Sequence, residues 1–81
     1  MVMRYTLKTF GITRDILGGK EVVFEMDGGK VSELKSELML RFPEMKTLNS
    51  LLIAVNNNYA EDDLIISEAD EIALIPPVSG G

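Results

Sequence analysis

In the stretch KEVVFEMDGGKVSELKSELMLRFP, residues 20–43, the hydrophobic period changes once, and that change decides the fold. Before the glycines the period is two. Val22, Phe24 and Met26 share one face, and Glu21 and Glu25 share the other with Val23. Such alternation predicts a half-buried strand. Asp27-Gly28-Gly29 predicts a turn. From Val31 the spacing is three and four: Val31, Leu34, Leu38 and Phe42 fall on one side, with Met39 at its margin. That spacing predicts a helix. Ser32 and Glu33 suit its first turn, and Glu37 and Arg41 form an i,i+4 pair in the favourable order. Lys30, just before it, is a poor cap because ammonium accepts no hydrogen bond. Pro43 is the stop, since the residue before proline avoids the α region.

Upstream, residues 2–10 also alternate. Arg4, Thr6 and Lys8 fall on one face and Met3, Tyr5 and Leu7 on the other, which predicts a first strand paired with the second. Residues 11–19 hold Gly11, Gly18 and Gly19 and are read as a loop. Downstream, residues 51–56 are a continuous apolar run that predicts a buried central strand. Asn56-Asn57-Asn58 predicts a turn, because asparagine tolerates left-handed backbone. A short strand at Tyr59 follows, then an acidic loop holding Leu64, Ile65 and Ile66, and a turn at Glu68-Ala69-Asp70. Glu71 to Ile75 is the last strand, with Ile72 and Leu74 facing one way and Ala73 and Ile75 the other, and Pro76-Pro77 closes it. The order β-β-α-β-(short β)-β predicts an α+β roll of the ubiquitin-like, β-grasp type. It would have a mixed sheet of four to five strands and one main helix on one face. The expected division is a β-grasp domain over 1–76 and a flexible tail over 77–81.

Composition then restricts the chemistry. The chain has 81 residues, 46% of them hydrophobic, enough for one small core. It has no Cys and no His. Disulfides, thiolate nucleophiles, Ser-His and Cys-His pairs and zinc sites of the usual nitrogen and sulfur type are therefore excluded. The formal net charge of −5 argues against nucleic acid. Apolar runs fall far short of a bilayer span of roughly 20 residues, and the N-terminal alternation does not resemble a signal peptide, so a cytoplasmic chain without membrane contact is expected. Glu61, Asp62 and Asp63 are contiguous and lack the spacing of a calcium loop, so no metal site is predicted. The glycine pairs lack the lysine and spacing of a phosphate loop. Tyr5, Phe10, Phe24 and Phe42 read as core or edge-of-core residues.

One candidate remains for chemistry, the ending Pro76-Pro77-Val78-Ser79-Gly80-Gly81. The prolines fix an exit direction, and glycines without Cβ atoms suit a tail that must enter a narrow channel. A carboxylate at Gly81 that attacks the α-phosphate of ATP gives an acyl-adenylate. A sulfur nucleophile then displaces AMP and leaves a thiocarboxylate. No Cys or His of this chain is needed, because a partner enzyme supplies metal, base and ATP site.

That ending resembles the signature of the small, sulfur-carrier subunit of molybdopterin synthase, the MoaD family. Ala54-Val55-Asn56 is similar to the family's central-strand motif, and Ile66 with Asp70-Glu71-Ile72-Ala73-Leu74-Ile75 to its run into the final strand. Phe10-Gly11 and Arg14 fit the first strand and following loop, and Val31 to Pro43 the helix. Two residues depart from the pattern. Lys30 stands where the family often has a threonine cap, and Ala69 where it often has a turn glycine. If that turn requires positive φ, alanine there costs about 1 kcal/mol.

The resemblance implies a non-catalytic sulfur carrier that binds no cofactor itself. An E1-like adenylating enzyme would use ATP to activate Gly81. Pro76, Pro77, Val78, Ser79 and Gly80 would thread the tail into the large subunit of molybdopterin synthase. There sulfur is delivered for the dithiolene of molybdopterin, within a heterotetramer. It also implies a hydrophobic docking face of Phe10, Tyr59 and Ile75, with Arg14 nearby. Two alternatives stay open: the related carrier of thiamine thiazole synthesis, and a ubiquitin-like modifier that joins Gly81 to lysines of other proteins.

Overall fold

The computed structural model describes residues 2–48 and 51–77. The strands are β1 (Val2–Thr9), β2 (Glu21–Asp27), β3 (Leu52–Val55), β4 (Asn58–Tyr59) and β5 (Glu71–Ile75). The helices are α1 (Ile12–Leu17), α2 (Val31–Arg41) and a 3₁₀ turn over Pro43–Thr47. The strands form one five-stranded sheet in the order β2-β1-β5-β3-β4. β1 runs antiparallel to β2 and parallel to β5, and β5 runs antiparallel to β3. The sheet is mixed, as the element order predicts.

Alternation becomes burial on one face of the sheet. Tyr5, Leu7, Phe24, Met26, Ile53, Val55, Ile72 and Leu74 join Val31, Leu34 and Leu38 of α2 in one core, with Met45 of the 3₁₀ turn sealing its end. Burying a leucine or isoleucine side chain contributes about 1.5–3 kcal/mol. This one layer of contacts therefore carries much of a small domain's stability. The predicted Glu37–Arg41 pair is present at 3.4 Å, and Arg41 also lies over the Phe24 ring, 4.4 Å from its centroid.

The helix start that sequence leaves poorly capped is completed by the acidic loop. Glu33 Oε1 accepts the Lys30 N–H at 3.0 Å. The N–H groups of Val31 and Ser32 donate to the carbonyls of Leu64 and Asp62, each at 3.0 Å. Backbone carbonyls from residues 62–64 thus satisfy first-turn donors that a threonine side chain would otherwise meet. Tyr5, fully buried, accepts the Gly29 N–H on its hydroxyl at 3.2 Å, tying the same corner to β1.

Three expectations need correction. Residues 11–19 are not simply loop, because α1 forms there. Ile12, Ile16 and Leu17 supply a short apolar repeat, and Gly18 closes the helix in the left-handed conformation at φ 85°. The middle strand of the sheet is β5, not β3, whose run is also not buried throughout: Leu52 points to the opposite face and is 46% exposed. Phe10 is not core. Alternation in β1 buries Tyr5, Leu7 and Thr9 and turns the next residue outward. The Asn56-Asn57 turn is as predicted. Both residues have positive φ, 53° and 71°, and the β3–β4 hairpin closes with Val55 opposite Asn58. Ala69 is not among the positive-φ residues, so its departure from glycine brings no strain.

Candidate functional site

The sheet face away from α2 is set by register. Glu21, Lys8, Ala73, Ala54 and Tyr59 are successive cross-strand partners and therefore share that face. Leu52 and Ile75 are partners one pleat along. Phe10 follows β1 at the same end, because Thr9 pairs with Leu74 in the parallel ladder and so brings Phe10 beside Ile75. Phe10, Tyr59 and Ile75, from three separated parts of the chain, line one shallow groove together with Lys8, Ala54, Asn57, Glu71 and Ala73. Phe10 is 47% exposed and Tyr59 72% exposed, so their apolar surface is available to a partner.

The groove is apolar at one end and charged at the other. Lys8 Nζ donates to Glu71 Oε1 across the parallel β1–β5 pair. The Glu71 carboxylate, first by this hydrogen bond and then by its charge, raises the Lys8 pKa above the usual lysine value. Arg4 and Glu25 continue the charged end, 3.8 Å apart. A surface split in this way suits a protein partner that covers the apolar end and meets the charged end with polar groups.

Arg14 lies exposed on α1 and does not line the groove. Its contribution here is its backbone carbonyl, which accepts the N–H groups of Gly18 and Gly19 at 2.8 and 3.2 Å. Sequence reasoning placed Ala73 with Ile75 but missed Leu52 and Ala54 as members of the outer face, because the apolar run of β3 hides its alternation and only the β3–β5 register sets Leu52 beside Ile75. Pro76 and Pro77 leave β5 directly after Ile75, so the tail starts at the edge of the groove. Val78, Ser79, Gly80 and Gly81 lie outside the described residues. Among the described residues no group of Asp and Glu is arranged to hold a metal ion, and no helix is long and apolar enough to cross a membrane.

Comparison with known proteins agrees with this fold. Residues 7–81 match the ThiS family. The molybdopterin synthase sulfur carrier subunit of Arabidopsis thaliana is 34% identical over 74 residues, 89% of this chain and 77% of that protein. The subunit of the same name from Dictyostelium discoideum is 31% identical over the full length of both chains. Among solved structures, a Pyrococcus furiosus chain assigned as molybdopterin converting factor subunit 1 superposes with a TM-score of 0.81. It is 26% identical, with 94% of this chain and 99% of that chain covered. A Helicobacter pylori complex of subunits 1 and 2 of molybdopterin-converting factor contains a chain 28% identical, with a TM-score of 0.63 and coverage of 98% and 100%. The small archaeal modifier protein 1 of Haloferax volcanii, at 23% identity and a TM-score of 0.75, shares the fold. With its β-grasp sheet, the match over residues 7–81 and relatives at 31–34% identity over most of their length, the chain belongs to the ThiS family, alongside the molybdopterin synthase sulfur carrier subunits.

Proposed function

We propose that the chain is the sulfur-carrier subunit of a molybdopterin synthase and that its reactive group is the Gly81 carboxyl. A carboxylate oxygen attacks the α-phosphorus of ATP on an E1-like adenylating partner, and pyrophosphate leaves. A sulfur nucleophile then attacks the acyl carbon, AMP leaves with the activated oxygen, and a thiocarboxylate remains. On a large synthase subunit the sulfur passes to the molybdopterin precursor, water restores the carboxylate, and the chain is ready for another cycle. The tail Pro76-Pro77-Val78-Ser79-Gly80 carries the reactive end into each partner. The chain is a non-catalytic subunit and binds no cofactor of its own, since ATP and metal belong to the activating enzyme. It works in the cytoplasm, in a heterotetramer of two large and two small subunits.

The observation that carries this proposal is the placing of Phe10, Tyr59 and Ile75 in one exposed groove at the root of a Pro-Pro…Gly-Gly tail. Docking and delivery need this combination, an apolar anchor beside an extensible arm. The relatives' names and the Helicobacter pylori complex support a large-subunit partner. The test is reconstitution. Thiocarboxylated chain mixed with a large subunit and precursor should form molybdopterin, and a Gly81-deleted chain should form none. Equal formation by both would overturn the proposal.

A further inference from the structure

Gly11 has φ 56° and ψ −131°, a backbone conformation closed to residues with a Cβ. It sits where β1 hands over to α1. A Cβ built there would come 3.3 Å from Cγ of Pro76, and among the described residues no other atom beyond its chain neighbours lies within 4 Å of it. The first proline of the tail thus packs on the bare face of this glycine. Register explains why. Parallel pairing of Thr9 with Leu74 sets Phe10 beside Ile75 and Gly11 beside Pro76. Proline has no N–H to continue the ladder, so β5 ends at Ile75 and Pro76 meets Gly11 through its ring.

The glycine is itself firmly held. Thr13, fully buried, accepts the Phe10 N–H on Oγ1 at 2.9 Å and donates from Oγ1 to the Phe10 carbonyl at 2.6 Å. The N–H of Arg14 donates to the Gly11 carbonyl at 3.1 Å. Phe10 is a groove residue, and Pro76 is the tail root. The clamped Phe10-Gly11 pair therefore links the groove to the tail root.

We infer that Gly11 is a positioning residue for sulfur delivery: by seating Pro76 it fixes the direction in which the tail leaves the docking face. The inference rests on the carrier function proposed above. Its importance comes from direction: Pro76 and Pro77 each fix φ near about −65°, so the seat of the first ring sets the heading on which the tail leaves the groove. A misplacement of about 1 Å can lower a rate about a hundredfold.

The test separates docking from delivery. Wild type, Gly11→Ala, Pro76→Ala and the double variant are loaded as thiocarboxylates. Binding to the large subunit and single-turnover sulfur transfer at saturating large subunit are then measured. Gly11→Ala should slow transfer about tenfold while its Kd stays within about threefold of wild type. Pro76→Ala should slow transfer with Kd likewise kept, and the double variant should be no slower than Gly11→Ala alone, because both substitutions undo the same contact. A wild-type transfer rate in Gly11→Ala overturns the inference. So does a double variant as slow as Gly11→Ala when Pro76→Ala transfers normally, since the effect would then lie in α1 alone. If Gly11→Ala does not fold, Pro76→Ala decides by the same split of rate from Kd. In wild type, a nuclear Overhauser contact between Gly11 Hα and the Pro76 ring protons should be present, and its absence overturns the seating. A wild type that accepts no sulfur overturns the functional proposal instead, whereas active wild type with unaffected variants overturns only this inference.

Discussion

Asn56 Nδ2 donates to Asp70 Oδ1 at 3.0 Å, joining the β3–β4 turn to the turn that launches β5. The join is two-sided. Asn56 Oδ1 accepts the Glu71 N–H at 2.9 Å, and the Asn56 N–H donates to the Glu71 carbonyl at 2.8 Å. Asp70 Oδ2 accepts the Ser67 N–H at 2.8 Å. Asn56 also occupies positive φ at 53°, where its side chain type is tolerated. Asn56→Ala removes two side-chain hydrogen bonds and adds backbone strain, so it should cost about 2–3 kcal/mol. Chemical denaturation should show a lower midpoint with an unchanged m-value. A loss below about 0.5 kcal/mol would contradict the anchoring role, since surface changes without such a role fall within that range.

The same network gives a pH signature. The Ser67 N–H, followed by the Asn56 amide, holds the Asp70 carboxyl below the usual aspartate range. A carboxyl with a depressed folded-state pKa contributes stability above its unfolded-state pKa of about 3.9, and that contribution is lost as pH falls through the folded-state value. Wild type should therefore exceed Asp70→Asn in thermal midpoint near neutrality, with the gap closing as pH falls below the ordinary aspartate value of about 3.9. A gap independent of pH would contradict this assignment.

Docking should depend on the three groove residues together. Phe10→Ala, Tyr59→Ala and Ile75→Ala should each weaken binding to the large subunit by about 1–2 kcal/mol, or about 5- to 30-fold in Kd. Thermal midpoints should change little for exposed Phe10 and Tyr59. Isothermal titration with the large subunit measures the effect, and Leu52→Ala, on the same face, should weaken binding in the same direction.

The core should be intolerant of cavities. Leu38, fully buried on α2, faces the sheet from the centre of the helix. Leu38→Ala should cost about 2–5 kcal/mol, a large share of the stability of a domain this small. Exposed Leu40 on the same helix should tolerate alanine within about 0.5 kcal/mol. Equal losses at both positions, read by urea denaturation, would contradict the assigned helix face.

Much of this was legible in the sequence because period survives packing. The switch at Gly28-Gly29 located β2 and α2, Asn56-Asn57 located the hairpin turn, and alternation in β1 and β5 chose the buried face. What sequence left out depends on contacts between distant segments. The capping of α2 comes from carbonyls of residues 62–64, which no local pattern announces. Helix α1 is only six residues long and framed by glycines, so its apolar spacing was too short to outweigh the loop signal. Phe10 and Leu52 look like core by residue type, and only register shows that both face outward. The approach of Pro76 to Gly11 likewise depends on the parallel β1–β5 pairing, which no local pattern announces.

Under the proposed function sulfur travels on the Gly81 carboxyl, and the decisive measurement is intact-mass spectrometry of the chain after incubation with its adenylating enzyme, ATP and a sulfur source. The expected result is the mass gain of one oxygen replaced by sulfur, confined to the C-terminal fragment, reversed on delivery to the large subunit, and absent when Gly81 is deleted. An unchanged mass under conditions that load a known carrier, or a gain that persists without Gly81, would contradict it.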